Sequence, residues 1–237
     1  ACPTAAASIA CNHTRYVLTR ARPSVLLFHP AQPHRYSRRV ALYTCMRIMD
    51  VIEAIRTRRS IAKFHPEPVP RDVLMRILAA GIWAPNHHLT EPWRFAILGP
   101  ESRRRMAVRY AELRMEKAPP EAVERRARIC EDSMRKFMEI PVIVTVAALQ
   151  EGDEQRRRED YAATCCAIQN VQLAAWSEGI GVKWSTASVI HDPLTYTVLE
   201  LDPDCYTVVA LLYIGYPAEI PTRDRKRLLD DVIRIMD

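Results

Sequence analysis

Ala84-Pro85-Asn86-His87-His88-Leu89-Thr90-Glu91-Pro92-Trp93-Arg94-Phe95 joins two different kinds of sequence. Before it, Val73, Leu74, Ile77 and Leu78 share one face of a helix from Arg71 to Ala80, and Gly81 and Pro85 stop that helix. After it, Trp93 to Leu98 reads as a strand. Prolines fix the backbone at both ends of the junction, and polar side chains lie between them. Preorganised polar loops of this kind build ligand pockets. The same residues also read as a plain helix-to-strand turn with Trp93 packed in the core.

The pattern continues in both directions. Upstream, Val51, Ile52 and Ile55 sit at helical spacing in Asp50 to Thr57, and a Pro-rich loop, Phe64 to Pro70, follows. Downstream, Pro100 to Lys117 reads as a helix with Pro in its first turn, and Pro119 to Glu139 as a second, strongly charged one. Pro141 to Leu149 is a near-continuous apolar run that predicts a buried strand. Glu151 to Asp160 reads as a polar connection. Tyr161 to Ser177 is the most apolar helix, with Ala162, Ala163, Cys166, Ile168, Val171, Leu173 and Ala174 covering more than one face. Gly179-Ile180-Gly181 stops it before a short strand, Val182 to Thr186. Asp192 is the N-cap and Pro193 the first residue of a helix ending at Leu199. Cys205 to Tyr213 is the last core strand. The predicted order is α, α, β, α, α, β, α, β, α, β, an α+β layer fold rather than a regular βαβ alternation.

Charge divides the chain unevenly. Residues 1–49 hold seven Arg and no acidic residue, which leaves 27 basic against 28 acidic residues in the rest. The net charge of +6 therefore sits on the N-terminal segment, and a nucleic-acid face on the folded part is not expected. Residues 1–48 are Arg-rich and Pro-broken, and read as an extension, either a start assigned too early or a targeting segment. The working domain is expected over residues 49–237. No apolar run approaches the roughly 18–20 residues that span a bilayer. The seven Cys include no C-x-x-C pair and suit a reduced, cytoplasmic setting.

Several function classes fall away. The six Gly form no G-x-G-x-x-G and no G-x-x-x-x-G-K, which argues against a dinucleotide-binding βαβ unit or a P-loop. No G-x-S-x-G elbow is present. His87-His88 has no further ligand at metal-binding spacing, so no metal site is expected.

Four segments carry candidate chemistry. Arg58-Arg59-Ser60 closes the first helix; two guanidinium groups and a hydroxyl suit a phosphate, although Arg at a helix C-terminus also answers the helix dipole. The proline-bounded loop Ala84 to Phe95 is the second. Gly179 to Ala187 is the third, where Trp184, Ser185 and Thr186 close a strand, or simply make an αβ connection. Arg223-Asp224-Arg225-Lys226-Arg227 is the fourth, a basic run that either returns to the phosphate or stays solvated.

Taken in order and spacing, these segments resemble the FMN-dependent nitroreductases. The closest likeness is to the branch with the loop N-H-x-L-T-E-P-W-R-F, here Asn86 to Phe95. The resemblance covers Met49 to the end. It implies a central, mostly antiparallel sheet flanked by helices, in a homodimer whose chains share each FMN site. It places Arg58, Arg59 and Ser60 at phosphate and ribityl, and Trp83 and His87 at the flavin from the partner chain. Trp184, Ser185 and Thr186 fall beside the ring, and Arg223 and Arg225 near the phosphate. Ala62 replaces a basic residue common in relatives, with Lys63 next to it. Leu89, Glu91 and Ala187 are further departures.

The implied reaction is ping-pong: NADH or NADPH reduces the cofactor, and a small nitroaromatic or quinone-like acceptor reoxidises it. Such a cycle names no catalytic residue, and His87 reads equally as a proton donor or a binding group. The alternatives are a flavin-delivery protein without enzymatic activity and a specialised relative such as a reductive dehalogenase, for which Pro100 to Glu139 is the candidate lid.

Overall fold

The apolar runs Val142–Leu149 and Tyr206–Gly215 have side chains buried on both sides of the backbone, so helices must cover both faces of the sheet they form. The computed structural model, which describes residues 49–222 and 225–236, has that arrangement. Strands β1 (Trp93–Ile97), β2 (Val142–Leu149), β3 (Gly181–Ser185) and β4 (Tyr206–Gly215) make an antiparallel sheet in the order β1-β2-β4-β3. The two apolar strands are central, paired as Val144 with Leu212 and Thr145 with Leu211, with a register shift between Val146 and Ala147.

Helices α1 (Val51–Thr57), α2 (Arg71–Gly81), α3 (Pro100–Met115), α4 (Val123–Met138), α5 (Glu154–Ser177) and α6 (Pro193–Leu199) complete the predicted order of elements. Alternation along the strands assigns the two faces. Val144, Val146, Ala210 and Leu212 pack with Leu74 and Ile77 of α2 and Ile168 and Val171 of α5. Ile143, Val208, Leu211 and Tyr213 pack with Met106 and Ala107 of α3 and Phe137 of α4. The charged pair α3–α4 is thus a layer of the core rather than a separate flap. Among the described residues no helix is long and apolar enough to cross a membrane.

Two predicted boundaries are corrected. The helix expected from Pro119 starts at Val123, because Pro119–Ala122 is a turn closed by the Ala122 amide on the Pro119 carbonyl. The larger correction is α5, which starts at Glu154 and absorbs most of the expected polar connection. Asp153 caps it by accepting the Arg156 amide at 2.9 Å. Glu154 with Arg158 and Gln155 with Glu159 bridge successive turns. This added length overhangs the sheet and carries no apolar stripe, so hydrophobic periodicity does not mark it. The expected extension at residues 1–48 lies outside the described residues.

Candidate functional site

The first site element follows from the end of α1. Asp50 caps the helix through the Ile52 amide at 2.8 Å, and the Arg58 amide closes its last turn on Ala54 at 2.9 Å. Arg58 then leaves the helix with φ −53° and ψ 134°. The chain runs beside β3, where Ser60 pairs in parallel with Val182 and the Ile61 amide reaches the Val182 carbonyl. Trp176 of α5 donates to the Thr57 hydroxyl at 2.9 Å and fixes the exit. Arg58, half-buried, donates weakly to Gln172 of α5 at 3.5 Å.

Arg225 arrives at the same place from the far end of the chain. Arg58 holds its proton less tightly than usual, first because it is partly buried and then because the charges of Arg225 and Arg59 face it. Arg59 is steered by the carbonyls of Arg56 and Arg58. Among the described residues no ion pair ties Arg58, Arg59 or Arg225 to a carboxylate. The dipole of a seven-residue helix accounts for a cation at its C-terminus, worth about 0.3–1 kcal/mol. It does not account for Arg225, which is not on that helix. Guanidinium groups gathered this way suit an anion that offers oxygens to all of them. Arg223 lies outside the described residues.

Strand β3 carries the next group. Val182 and Trp184 face the α2–α5 layer. The Trp184 indole N–H is buried and finds no acceptor among the described residues. Ser185 is buried and Thr186, at the strand end, is exposed. On the opposite face Lys183 Nζ stands 5.7 Å over the Tyr213 ring. The Tyr213 phenol is pushed up to about 12 by its burial, with Ser185 hydrogen-bonded to it. A cavity of about 650 Å³ opens on that face, lined among others by Lys63, Tyr110, Phe137, Lys183 and Tyr213, and by none of the predicted site residues. Lys63, beside the Ala62 departure, is engaged by Glu219 at 2.7 Å.

The loop after α2 stands apart. His88, Leu89 and Glu91 have φ of 55°, 53° and 44°. Left-handed backbone costs a non-glycine residue roughly 1–2 kcal/mol, so side chains must hold the loop. Asn86 accepts the Glu91 amide at 3.0 Å. Thr90 donates to Asp160 at 2.5 Å, and His87 Nδ1 meets Glu159 at 2.7 Å. The rings of His87 and His88 stack at 3.8 Å. Asp160 is 1% exposed, and its second oxygen has no partner among the described residues. Trp83 and Leu89 project outward, each 82% exposed.

One chain therefore holds two separate groupings. Arg58, Arg59, Ser60 and Arg225 gather at one end of α5, with Trp184 to Thr186 on the strand beside them. His87 belongs to the other end; Trp83 lies between them, just past the end of α2, where Ala80 and Gly81 meet Ala167, Asn170 and Val171 of α5. Glu159 and Gln172 mark the two ends on α5, thirteen residues apart in the sequence, or about 20 Å at 1.5 Å per residue. Sequence reasoning missed Gln172, Glu159 and Asp160. A glutamine on an apolar helix face was the available signal for the first. Gly152-Asp153 ahead of a run of charged residues was the signal for the others.

Sheet order and two helical layers define the class, an α+β fold of helices on both faces of an antiparallel sheet, with Arg58, Arg59 and Arg225 gathered beside β3. The sequence pattern of the nitroreductase family matches residues 55–216, and the chain belongs to that family of oxidoreductases. YfhC of Bacillus subtilis, provisionally named a NAD(P)H nitroreductase, is 32% identical over 179 residues, 76% of this chain and 90% of its own length. A nitroreductase-like protein from Bacillus cereus matches with a TM-score of 0.67 at 29% identity, over 79% of this chain and 96% of that one. The FMN complex of a Desulfovibrio desulfuricans protein, also provisionally named a nitroreductase, matches with a TM-score of 0.59 at 26% identity, again over 79% and 96%.

Proposed function

We propose that this chain is an FMN-dependent oxidoreductase that takes reducing equivalents from NADH or NADPH and passes them to a small nitroaromatic or quinone-like acceptor. The observation that carries the reading is the set of guanidinium groups at Arg58, Arg59 and Arg225, which face one another without a carboxylate partner among the described residues. A phosphate monoester supplies the missing charge and the acceptor oxygens. Ser60 offers a hydroxyl beside it. From Val182 to Thr186 the strand advances about 13 Å, room for an extended chain that ends in a ring system. Trp184, Ser185 and Thr186 flank that ring, and the indole N–H of Trp184 is a donor in want of an acceptor. FMN, when bound, supplies the redox chemistry; the protein binds it, orients it and keeps water from one face.

The working unit in this reading is a homodimer. His87 meets α5 thirteen residues before Gln172, too far to serve its own chain's cradle, and in this reading it and Trp83 serve the partner's. The exposed apolar side chains of α1 (Val51, Ile52, Ile55), Trp83 and the C-terminal Leu228, Val232 and Ile235 supply surface for that association. The branch with the Asn86–Phe95 loop and a cytoplasmic setting belong to the same proposal, as does the assignment of residues 49–237 as the catalytic domain.

A dehalogenating or flavin-fragmenting relative is disfavoured because α3 and α4 are committed to the core instead of forming a lid. One kinship keeps the acceptor an experimental question: a 5,6-dimethylbenzimidazole synthase from Rhodospirillum rubrum is 29% identical over 179 residues.

Arg58→Ala is the direct test. A charge-assisted hydrogen bond to phosphate contributes about 1.5–3 kcal/mol, so FMN retention is expected to weaken about ten- to a hundredfold. A variant that stays as yellow as the parent through gel filtration sinks the cradle assignment. Purified parent protein that binds FMN but does not oxidise NADPH or NADH with a quinone is a flavin-delivery protein.

A further inference from the structure

Gln172 is a polar residue in an apolar place. It is 5% exposed, while Ile168, Val171 and Ala175 around it on α5 are fully buried core residues. A buried amide must find partners, and Gln172 finds one on each side. Its NH2 group donates to Gln169 Oε1 at 3.3 Å, which turns its own oxygen the other way. That oxygen accepts from Arg58 Nη1 at 3.5 Å. One turn further along α5, Trp176 donates to the Thr57 hydroxyl at 2.9 Å. Two successive turns of α5 thus hold two successive residues at the exit of α1.

The chemistry of the acceptor matters more than the strength of the bond. Among the described residues Gln172 is the only acceptor that the Arg58 side chain reaches, and it is neutral. Arg59 is held in the same manner, by the carbonyls of Arg56 and Arg58. A fold that needed only to fasten Arg58 would be better served by a carboxylate, as Arg76 is by Glu178 at 2.7 Å. A carboxylate would also cancel the charge. A long bond to an amide oxygen limits the rotamers of the guanidinium and leaves its charge, and its remaining N–H groups, for another anion.

We propose that Gln172 is a positioning residue that aims Arg58 at the flavin phosphate without neutralising it, and so makes the site select FMN over riboflavin. This rests on the reading above that Arg58, Arg59 and Arg225 take the phosphate. Gln172 touches no part of the flavin in this proposal. It acts through Arg58, so its effect belongs to the phosphate alone.

Two variants of similar size separate its two properties. Gln172→Glu gives Arg58 an internal counter-ion that competes with phosphate. FMN affinity, read by quenching of flavin fluorescence as FMN is titrated into flavin-stripped full-length protein, is expected to fall about ten- to a hundredfold, as for loss of Arg58 itself. Gln172→Met keeps the packing and removes the acceptor; the expected fall is about two- to tenfold, the worth of one ordinary hydrogen bond. Riboflavin, which lacks the phosphate, is expected to bind both variants as it binds the parent. In an Arg58→Ala background Gln172→Met is expected to cause no further loss of FMN, because the residue it acts through is gone. Equal losses of FMN and riboflavin in both variants make Gln172 a packing residue and overturn the proposal. So does a Gln172→Glu protein that binds FMN as tightly as the parent, or a full additive loss in the Arg58→Ala background. Parent protein that binds FMN no better than riboflavin refutes the cradle reading itself; a parent that prefers FMN, with a preference untouched in Gln172→Glu, refutes only this inference.

Discussion

Gly181 opens β3 where the cradle crosses the sheet edge, and it leaves no space for a side chain. A Cβ there would lie 2.5 Å from Ile61 Cγ1, 2.9 Å from Ile61 Cβ and 3.1 Å from Pro217 Cγ. Ile61 is fully buried and its amide is committed to the Val182 carbonyl, so it has nowhere to retreat. Overpacking a filled core costs roughly 1–3 kcal/mol. At about 2–4 °C per kcal/mol for a domain of this size, Gly181→Ala is expected to melt roughly 2–12 °C below the parent. The displacement passes to Ser60 and Arg58, so flavin retention measured well below both melting points falls as well. Gly179→Ala is the matched control. It has φ +75° and nothing within 4 Å of its Cβ, so it carries backbone strain of about 1–2 kcal/mol without pushing on Ile61. It is expected to lose stability and keep its flavin. A Gly181→Ala protein that melts within about a degree of the parent and retains flavin equally refutes the packing argument.

Other perturbations probe different parts of the structure. The Tyr213 phenol, raised to about 12 in the fold, ionises near 10 once unfolded, so its contribution is intact below pH 10 and is lost as pH rises toward 12. About 2–3 kcal/mol of stability should disappear over that window, and Tyr213→Phe should lose less; urea titrations at stepped pH check this. Thr90→Val deprives the buried Asp160 carboxylate of its observed donor and is expected to cost about 1–3 kcal/mol, read as a lowered urea midpoint. A chain starting at Met49 is expected to bind as much flavin per mole as the full sequence, and loss of flavin on truncation would make residues 1–48 part of the site.

How much of this was legible in the sequence depended on what physical signal each part left. Val142–Leu149 and Tyr206–Gly215 announced themselves because central strands are apolar on both faces. Asp192-Pro193 marked its helix start by capping chemistry alone, and the Leu194 amide does bond to Asp192. The overhang of α5 was invisible because charge pairs and a cap hold it, with no core stripe to count. Glu159 and Asp160 went unseen with it. Arg58, Arg59 and Ser60 could be named as candidates, but their helix-terminal position gave an equally simple account until Arg225 was found beside them. That meeting is a long-range contact, and no local pattern encodes it. His87 and Trp83 were named through resemblance, and the separation of His87 from the Arg58 segment follows only from α5, which meets both.

The segment that carries Arg58 and Ser60 also covers the outer edge of β3, through a single bridge at Val182. An uncovered edge strand invites pairing with another chain. The residues proposed to gather the phosphate are therefore also a guard against self-association. Conditions that pull Arg58 to Ile61 away from β3, whether phosphate depletion or a crowding side chain at Gly181, would expose Trp184 and its neighbours as a sticky margin. If the proposed phosphate site is right, solubility on storage and cofactor occupancy are two readings of one short stretch of backbone.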